Sequence, residues 1–375
     1  MSRTKKRSGV EFYTLDEIRK RQAHYNVIFG RKSTGKTFAV LEEAVRTYWT
    51  TGTQLAYIRR WDLDITASRG SGIFRNLIEA GKISEITDGQ YDSVVYKSKQ
   101  FFFAKTDGEG DEALSPEPFG YAFSLTAQEH DNSIGYPRCD FIVFEEFASK
   151  DGGYLPDEFA VFCRVLSNLI RHRDTARIYM LGNSLNRYCP YFTEMGLKHI
   201  KDMEPGDIDV YTYGDSGLRV AVEFADLPSK TSPSDVYFAF DNPHLAVITG
   251  SGDSGAWMIG IYPRLPFKYT PADVLLTYFI QFDDALLQAE IIRLPDRSGS
   301  VTFIHDKTTP IKDPQHDLIY TQAYEPGSNY RRKITSPRTR RDKLILEYYL
   351  RDKVYYSTNL VGDTVHNYLQ WCKTA

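Results

Sequence analysis

The sequence predicts an α/β protein in which a mostly parallel, three-layer sheet over residues 1–204 is followed by a smaller α+β domain. Two observations carry this. The apolar strand Val27-Ile28-Phe29 runs into Gly30-x-x-x-x-Gly35-Lys36-Thr37, the spacing of a phosphate-binding P-loop, and then into a helical pattern. Further on, Phe141–Phe144 and Ala176–Leu181 are apolar runs, as expected of strands covered on both faces, with a helix-period segment between them.

Taken in order, Arg3, Lys5, Lys6 and Arg7 mark a basic arm, and Thr14 with Glu17 forms a capping-box pattern for a short helix through about Ala23. Phe38, Leu41, Val45 and Tyr48 recur at helical spacing until Gly52 offers a C-cap. Gln54–Arg60 reads as a second strand, which closes a right-handed βαβ unit. Ile73–Ala80 reads as a short helix, Tyr91–Lys105 as a hairpin added to the main sheet, and the acidic stretch Gly108–Pro118 as a loop. Phe119–Leu125 returns as a strand. Pro156 opens a long helix with Phe159, Phe162, Leu166, Leu169 and Ile170 on one face.

Residues 205–233 read as a linker region with some strand character around Val220–Phe224, because Pro205-Gly206, Pro228 and Pro233 break the pattern. Residues 234–375 read as a separate domain. Its strand candidates are Val236–Phe240, Ala256–Tyr262, Leu275–Phe282, Ala289–Leu294 and Val301–His305, with helices at about Arg341–Leu350 and Thr364–Cys372.

The totals exclude several classes. Lys and Arg number 46 against 49 Asp and Glu, which argues against a globally basic nucleic-acid coat but allows local patches. Cys139, Cys163, Cys189 and Cys372 lie far apart without C-x-x-C spacing, and read as reduced thiols with no zinc site. No apolar run is long enough for a membrane span, and the N-terminus lacks a leader-like apolar core, so a cytoplasmic protein is expected.

The chemistry starts at the P-loop. Its glycines let the backbone N–H groups of Gly30, Arg31, Lys32, Ser33, Thr34 and Gly35 turn toward phosphate oxygens. Lys36 places a charge near the β- and γ-phosphates, and the Thr37 hydroxyl can ligate Mg²⁺. A nucleoside triphosphate, ATP, is the expected ligand. The Phe141–Phe144 strand ends in Glu145-Glu146, so Glu145 is expected to hold the metal and Glu146 to polarise the attacking water; solvated surface acids are the alternative. Asn183, after the next buried strand, reads either as a γ-phosphate sensor or as a turn residue following Gly182. Arg171 and Arg173 close the long helix, where they either complement its dipole or serve as an arginine finger for a neighbouring subunit.

Together with Tyr57-Ile-Arg-Arg60, Tyr136-Pro137, Ile142-Val-Phe-Glu-Glu-Phe147 and Gly182-Asn183-Ser184, this set resembles the genome-packaging ATPases of phi29-like bacteriophages over roughly the first 200 residues. The resemblance implies a RecA-like fold of the additional-strand, catalytic-glutamate type. It further implies a homopentamer ring that drives double-stranded DNA through a portal into a procapsid in the host cytoplasm. Carried over, Lys36 and Thr37 bind ATP and Mg²⁺, Glu146 is the catalytic glutamate, Asn183 is a sensor, and Arg171, ahead of Arg173, is the trans finger. That family's metal-side acid is usually aspartate, whereas this chain has Glu145. The C-terminal domain is implied to be a vestigial RNase H-like nuclease used for docking, including to a structural packaging RNA, with no cleavage expected.

Asp283-Asp284 follow a strand without identifiable partner acids. Arg331, Arg332, Lys333, Arg338, Arg340, Arg341 and Lys343 cluster as a basic segment opposed by Asp342, suited to RNA or portal contact, or simply solvated. Arg60 and the hairpin lysines Lys97, Lys99 and Lys105 are candidates for touching DNA. The competing readings are another P-loop translocase or helicase, and a nucleotide-dependent assembly platform without turnover.

Overall fold

A computed structural model describes residues 5–7, 10–30, 34–106, 112–130, 135–149, 153–183, 186, 188–225 and 260–374. The chain divides into two compact units. The first comprises Met1–Ser149, Asp157–Leu185 and Pro190–Ala239, and the second Lys150–Pro156, Asn186–Cys189 and Phe240–Ala375.

In the first unit a short antiparallel pair, β1 (Lys5–Arg7) and β2 (Val10–Phe12), stands apart from a ten-stranded sheet. The strands of that sheet are β3 (Tyr25–Phe29), β4 (Leu55–Arg59), β5 (Ser93–Lys97), β6 (Gln100–Thr106), β7 (Glu112–Leu114), β8 (Gly120–Ser124), β9 (Phe141–Glu145), β10 (Arg177–Gly182), β11 (Ile208–Tyr213) and β12 (Leu218–Phe224). Their spatial order is β11-β12-β3-β10-β9-β4-β8-β6-β5, with β7 paired to β6. From β12 through β8 every pairing is parallel. The hairpin β5–β6 and the strand β11 extend this core with antiparallel edges.

Helix α1 spans Asp16–Arg19, and α2 spans Lys36–Thr51. The second helix buries Val40, Leu41, Ala44 and Val45 in one cluster with Ile28, Tyr57, Val143 and Leu181 of the sheet. Each buried valine, leucine or isoleucine among them contributes on the order of 1.5–3 kcal/mol. Gly52 ends α2 in a left-handed conformation, its N–H donating to Tyr48 O at 2.8 Å. Helix α3 spans Arg75–Glu79, and the long α4 spans Glu158–Ile170. Phe162 of α4 stacks on Phe144 of β9 at 4.9 Å between ring centroids.

Several expectations need correction. The capping box at Thr14 and Glu17 does not form: α1 starts after Leu15 with no side-chain cap bond, Thr14 Oγ1 donates to Asp16 Oδ2 at 3.3 Å, and Glu17 pairs with Lys20. Within Gly108–Pro118, residues 112–114 form β7, because Ala104–Thr106 of β6 run past its short pairing with β8 at Gln100 and Phe101 and accept a further strand. Most consequential is the expected linker. Residues 208–224 are β11 and β12, with Val220, Ala221, Val222 and Phe224 buried beside the P-loop strand. Gly214 and Gly217, both at positive φ, belong to the tight connection between these strands. Residues 226–233 lie outside the described residues.

The second unit is a six-stranded sheet with β13 (Val274–Phe282), β14 (Ala285–Arg293), β15 (Ser300–Asp306), β16 (Ile319–Thr321), β17 (Tyr330–Arg331) and β18 (Val354–Tyr356), in the order β17-β16-β13-β14-β15-β18. The meander β13–β14–β15 is antiparallel, while β16, β17 and β18 pair in parallel. Helices α5 (Arg340–Leu350) and α6 (Asn359–Thr374) contribute Ile345, Val361, Val365 and Tyr368 to its core. The candidate strand Val236–Phe240 lies outside the described residues, and of Ala256–Tyr262 only residues 260–262 are described, without strand structure. Asp283 and Asp284 form the two-residue turn of the β13–β14 hairpin, Asp283 at φ 54°.

Candidate nucleotide site

The parallel core brings the C-terminal ends of β3, β10, β9 and β4 to one edge. There β3 delivers Gly30, whose φ of 152° an L side chain rarely adopts; a Cβ would also lie 2.7 Å from Ala225 O. Gly35, at φ 93°, is the residue from which α2 starts. Arg31, Lys32 and Ser33 lie outside the described residues. Thr34 is buried, and its carbonyl accepts the Tyr13 N–H at 3.0 Å, which ties the segment before α1 to the loop.

Lys36 is 3% exposed, and its ammonium donates to Gly30 O at 3.2 Å and Thr34 Oγ1 at 3.1 Å. Burial pulls its pKa down to about 8, opposed by the nearby Glu145 charge. A cation held in this way by neutral oxygens inside a loop fits an incoming polyphosphate.

The acids stand one strand further away than simple adjacency suggests. Between β3 and β9 lies β10, whose Gly182 pairs with Phe29 and whose Leu181 pairs with Glu145. Asn183 therefore emerges half-buried at the same edge, between the loop and the acids. The gap is bridged from above by α2: Thr37 Oγ1 donates to Glu145 Oε1 at 2.6 Å. The Tyr57 hydroxyl donates to Glu145 Oε2. Burial, followed by the Glu145 charge, pushes the Tyr57 phenol well above its usual range, so it remains a donor. The hydroxyl and carboxylate oxygens of Thr37 and Glu145 are hard donors, the type that Mg²⁺ selects, and they fit that ion.

Glu146 follows at φ 58°, which turns its side chain out of the strand's alternation; that side chain is 51% exposed. Its carboxylate accepts from Arg59 Nη2 at 2.7 Å. Arg59 also lies 3.4 Å from Asp64 and 3.6 Å from Glu145. Burial disfavours the Arg59 cation, yet Tyr57 and these acids outweigh it and shift the group upward.

Arg60, a candidate for DNA contact, points inward instead. It is 6% exposed, bonds Glu158 through Nε at 2.8 Å and Nη2 at 2.9 Å, and caps Phe147 O at 2.6 Å. Arg60 follows the last residue of β4, and its side chain turns to Glu158 while Arg59 meets Glu146. Of the hairpin lysines, Lys99 pairs with Asp62 and Lys105 with Asp92, while Lys97 is exposed.

Arg171 and Arg173 lie at the opposite edge. Arg173 is engaged within its own unit, through Nε to Asp140 Oδ1 at 2.6 Å and Nη2 to Leu169 O at 2.7 Å. Arg171 is exposed at the end of α4, at φ 54°. The contacts of Tyr57 and Arg59 with the acids were not legible in sequence; the motif Tyr57-Ile-Arg-Arg60 marked the segment without saying what its side chains touch. A cleft of about 580 Å³, bordered by Arg19, Glu43, Asp140 and Arg177, also sits away from the P-loop and holds none of the expected site residues.

Residues 8–211, more than half of the chain, match the family model described as Podovirus DNA encapsidation protein (Gp16). The chain belongs to this family. The DNA packaging protein of Bacillus phage phi29 is 24% identical over 183 residues, which are 48% of this chain and 49% of that protein. That of Bacillus phage B103 is 23% identical over 174 residues, 46% of this chain and 48% of its relative. The chain thus spans about half the length of the curated relatives it matches. Among solved structures, the bacteriophage phi29 viral genome packaging motor assembly aligns with a TM-score of 0.55 and 16% identity, over 95% of this chain and 97% of that one. The Phi-28 gp11 DNA packaging motor aligns with a TM-score of 0.52 and 16% identity, over 96% and 98%. At such identities the likeness establishes a shared fold. For this Gp16-family chain it extends through both units, and the site just described lies wholly in the first. Among the described residues no helix is long and apolar enough to cross a membrane.

Proposed function

We propose that this chain is the ATP-hydrolysing subunit of a ring motor that drives double-stranded viral DNA into a procapsid. One observation carries the reading: Lys36 and Thr37 of α2, Glu145 and Glu146 of β9 and Asn183 after β10 converge on one sheet edge, with Thr37 bonded directly to Glu145. A phosphate cradle alone binds; a cradle joined to paired acids can also turn over. Family membership and the shared fold with packaging motors agree with it.

In this reading Lys36 neutralises charge on the terminal phosphates, and Thr37 and Glu145 would hold Mg²⁺. When bound, that ion supplies charge that offsets the transition state. Glu146 leaves Arg59, orients the attacking water and accepts its proton. Asn183 reads the terminal phosphate. Arg171 reaches the site of the neighbouring copy, since in its own chain it stands at the far edge; Arg173, held by Asp140, stabilises that corner. The DNA is gripped through its phosphates, so any genome sequence is accepted.

For the second unit we propose docking without cleavage. Its order β17-β16-β13-β14-β15, with an antiparallel meander followed by parallel strands, agrees with an RNase H-like sheet. Part of the basic segment is structural: Arg331 binds the buried Asp342 at 3.2 Å, and Arg332 lies 5.3 Å from the Trp371 ring centroid. Arg338, Arg340, Arg341 and Lys343 remain exposed to meet a portal or a structural packaging RNA.

The test is phosphate release by the purified chain with cognate procapsids and DNA. Turnover stimulated by both is expected. Glu146→Gln lowers it by about a hundredfold or more while ATP binding persists. Mixing Arg171→Ala and Glu146→Gln chains restores part of the activity, because each copy supplies what its neighbour lacks. An inactive wild type with intact ATP binding favours a platform instead.

A further inference from the structure

At the metal side of the site this chain carries a glutamate, Glu145, whose extra methylene adds a rotatable bond that must be fixed before the carboxylate can serve. Two hydroxyls fix it from opposite elements. Thr37 Oγ1, on the first turn of α2, donates to Oε1 at 2.6 Å, and the Tyr57 hydroxyl, on β4, donates to Oε2. The register explains the second contact. Tyr57 pairs with Val143, two residues before Glu145 and on the same face of β9. That offset is about 6.6 Å along a strand, a distance that a phenol side chain spans. The ring is itself fixed: Tyr57 is 2% exposed and meets Phe101 edge-on at 6.2 Å and 86°.

We propose that Tyr57 is a positioning residue, holding one oxygen of Glu145 so that the longer acid presents the other to Thr37 and to a divalent cation beside it. This rests on the nucleotide reading above. An aspartate at 145 would withdraw the carboxylate by about 1.5 Å, away from both donors. The glutamate and the tyrosine therefore work as a pair, and removing either undoes the contribution of the other.

Tyr57→Phe keeps the ring and its packing and deletes one hydroxyl. The measurement is a Mg²⁺ titration of fluorescent ATP-analogue binding to the full chain. Tyr57→Phe is expected to raise the half-saturating Mg²⁺ about tenfold, with metal-free analogue affinity and melting temperature close to wild type. Glu145→Asp is expected to raise it similarly, and Tyr57→Phe in that background to add nothing. An unchanged Mg²⁺ requirement in Tyr57→Phe, or effects that multiply in the double variant, overturns the positioning role. Should Tyr57→Phe not fold, Glu145→Asp decides alone: an unchanged requirement overturns the proposal and a raised one supports it. A wild-type chain that binds no analogue at any Mg²⁺ concentration overturns the nucleotide reading beneath it, a result distinct from all of these.

Discussion

Replacing Glu223 by glutamine tests whether the strand beside the P-loop carries a charge that folding resists. Glu223 lies on β12 opposite Ile28 of β3, and is 2% exposed. The Tyr13 hydroxyl donates to its Oε2 at 2.6 Å. Burial raises its pKa from 4.5 to about 7, with Glu17 adding to the shift and the Tyr13 bond and Arg21 opposing it. The folded value lies above the unfolded one, so between them the folded chain keeps a proton that the unfolded chain has lost. Stability is therefore full below about pH 4.5 and falls as pH rises through about 7. The gap corresponds to about 3 kcal/mol. Glu223→Gln retains an acceptor for Tyr13 and cannot ionise. Urea unfolding of both proteins at a series of pH values between about 5 and 8 measures the difference. The wild type is expected to lose about 2.5 kcal/mol relative to the variant over that range. A difference that stays constant with pH refutes the reasoning.

Two further outcomes follow from the same framework. Arg60→Met leaves Glu158 buried with an uncompensated charge and is expected to cost about 3–5 kcal/mol in thermal or urea unfolding; a loss no larger than that of an exposed arginine contradicts the inward placement. Gly30→Ala forces a Cβ to 2.7 Å from Ala225 O at an unfavourable φ, so it is expected to destabilise by about 1–3 kcal/mol and to weaken ATP-analogue binding, which isothermal titration measures.

Much of this protein was legible without coordinates, and the reason is local. The P-loop strand, the loop spacing and α2 depend on residues close together in the chain, and the apolar runs that became β9 and β10 declare burial by composition alone. The placement of Glu145 beside Thr37, at the start of α2, followed the same motif logic. In the second unit, β13 and β15 lie within a residue of the expected strands, whereas β14 begins at Ala285, four residues before the expected Ala289.

What the tertiary structure decided concerns neighbours distant in sequence. Val220–Phe224 showed strand character in sequence, but whether it was linker or core depended on its pairing with β3, which lies nearly two hundred residues earlier. Arg59 and Arg60 look alike as a dipeptide, yet Arg59, the last residue of β4, meets Glu146, while Arg60, just past the strand, enters a buried pair with Glu158. Tyr57 reads as an ordinary strand aromatic until the β4–β9 register sets its hydroxyl against Glu145. Sequence determined which chemical groups the site possesses. Parallel register and the crossing of α2 determined which of them touch, because side-chain reach is only a few ångströms and long-range pairing alone brings groups that close.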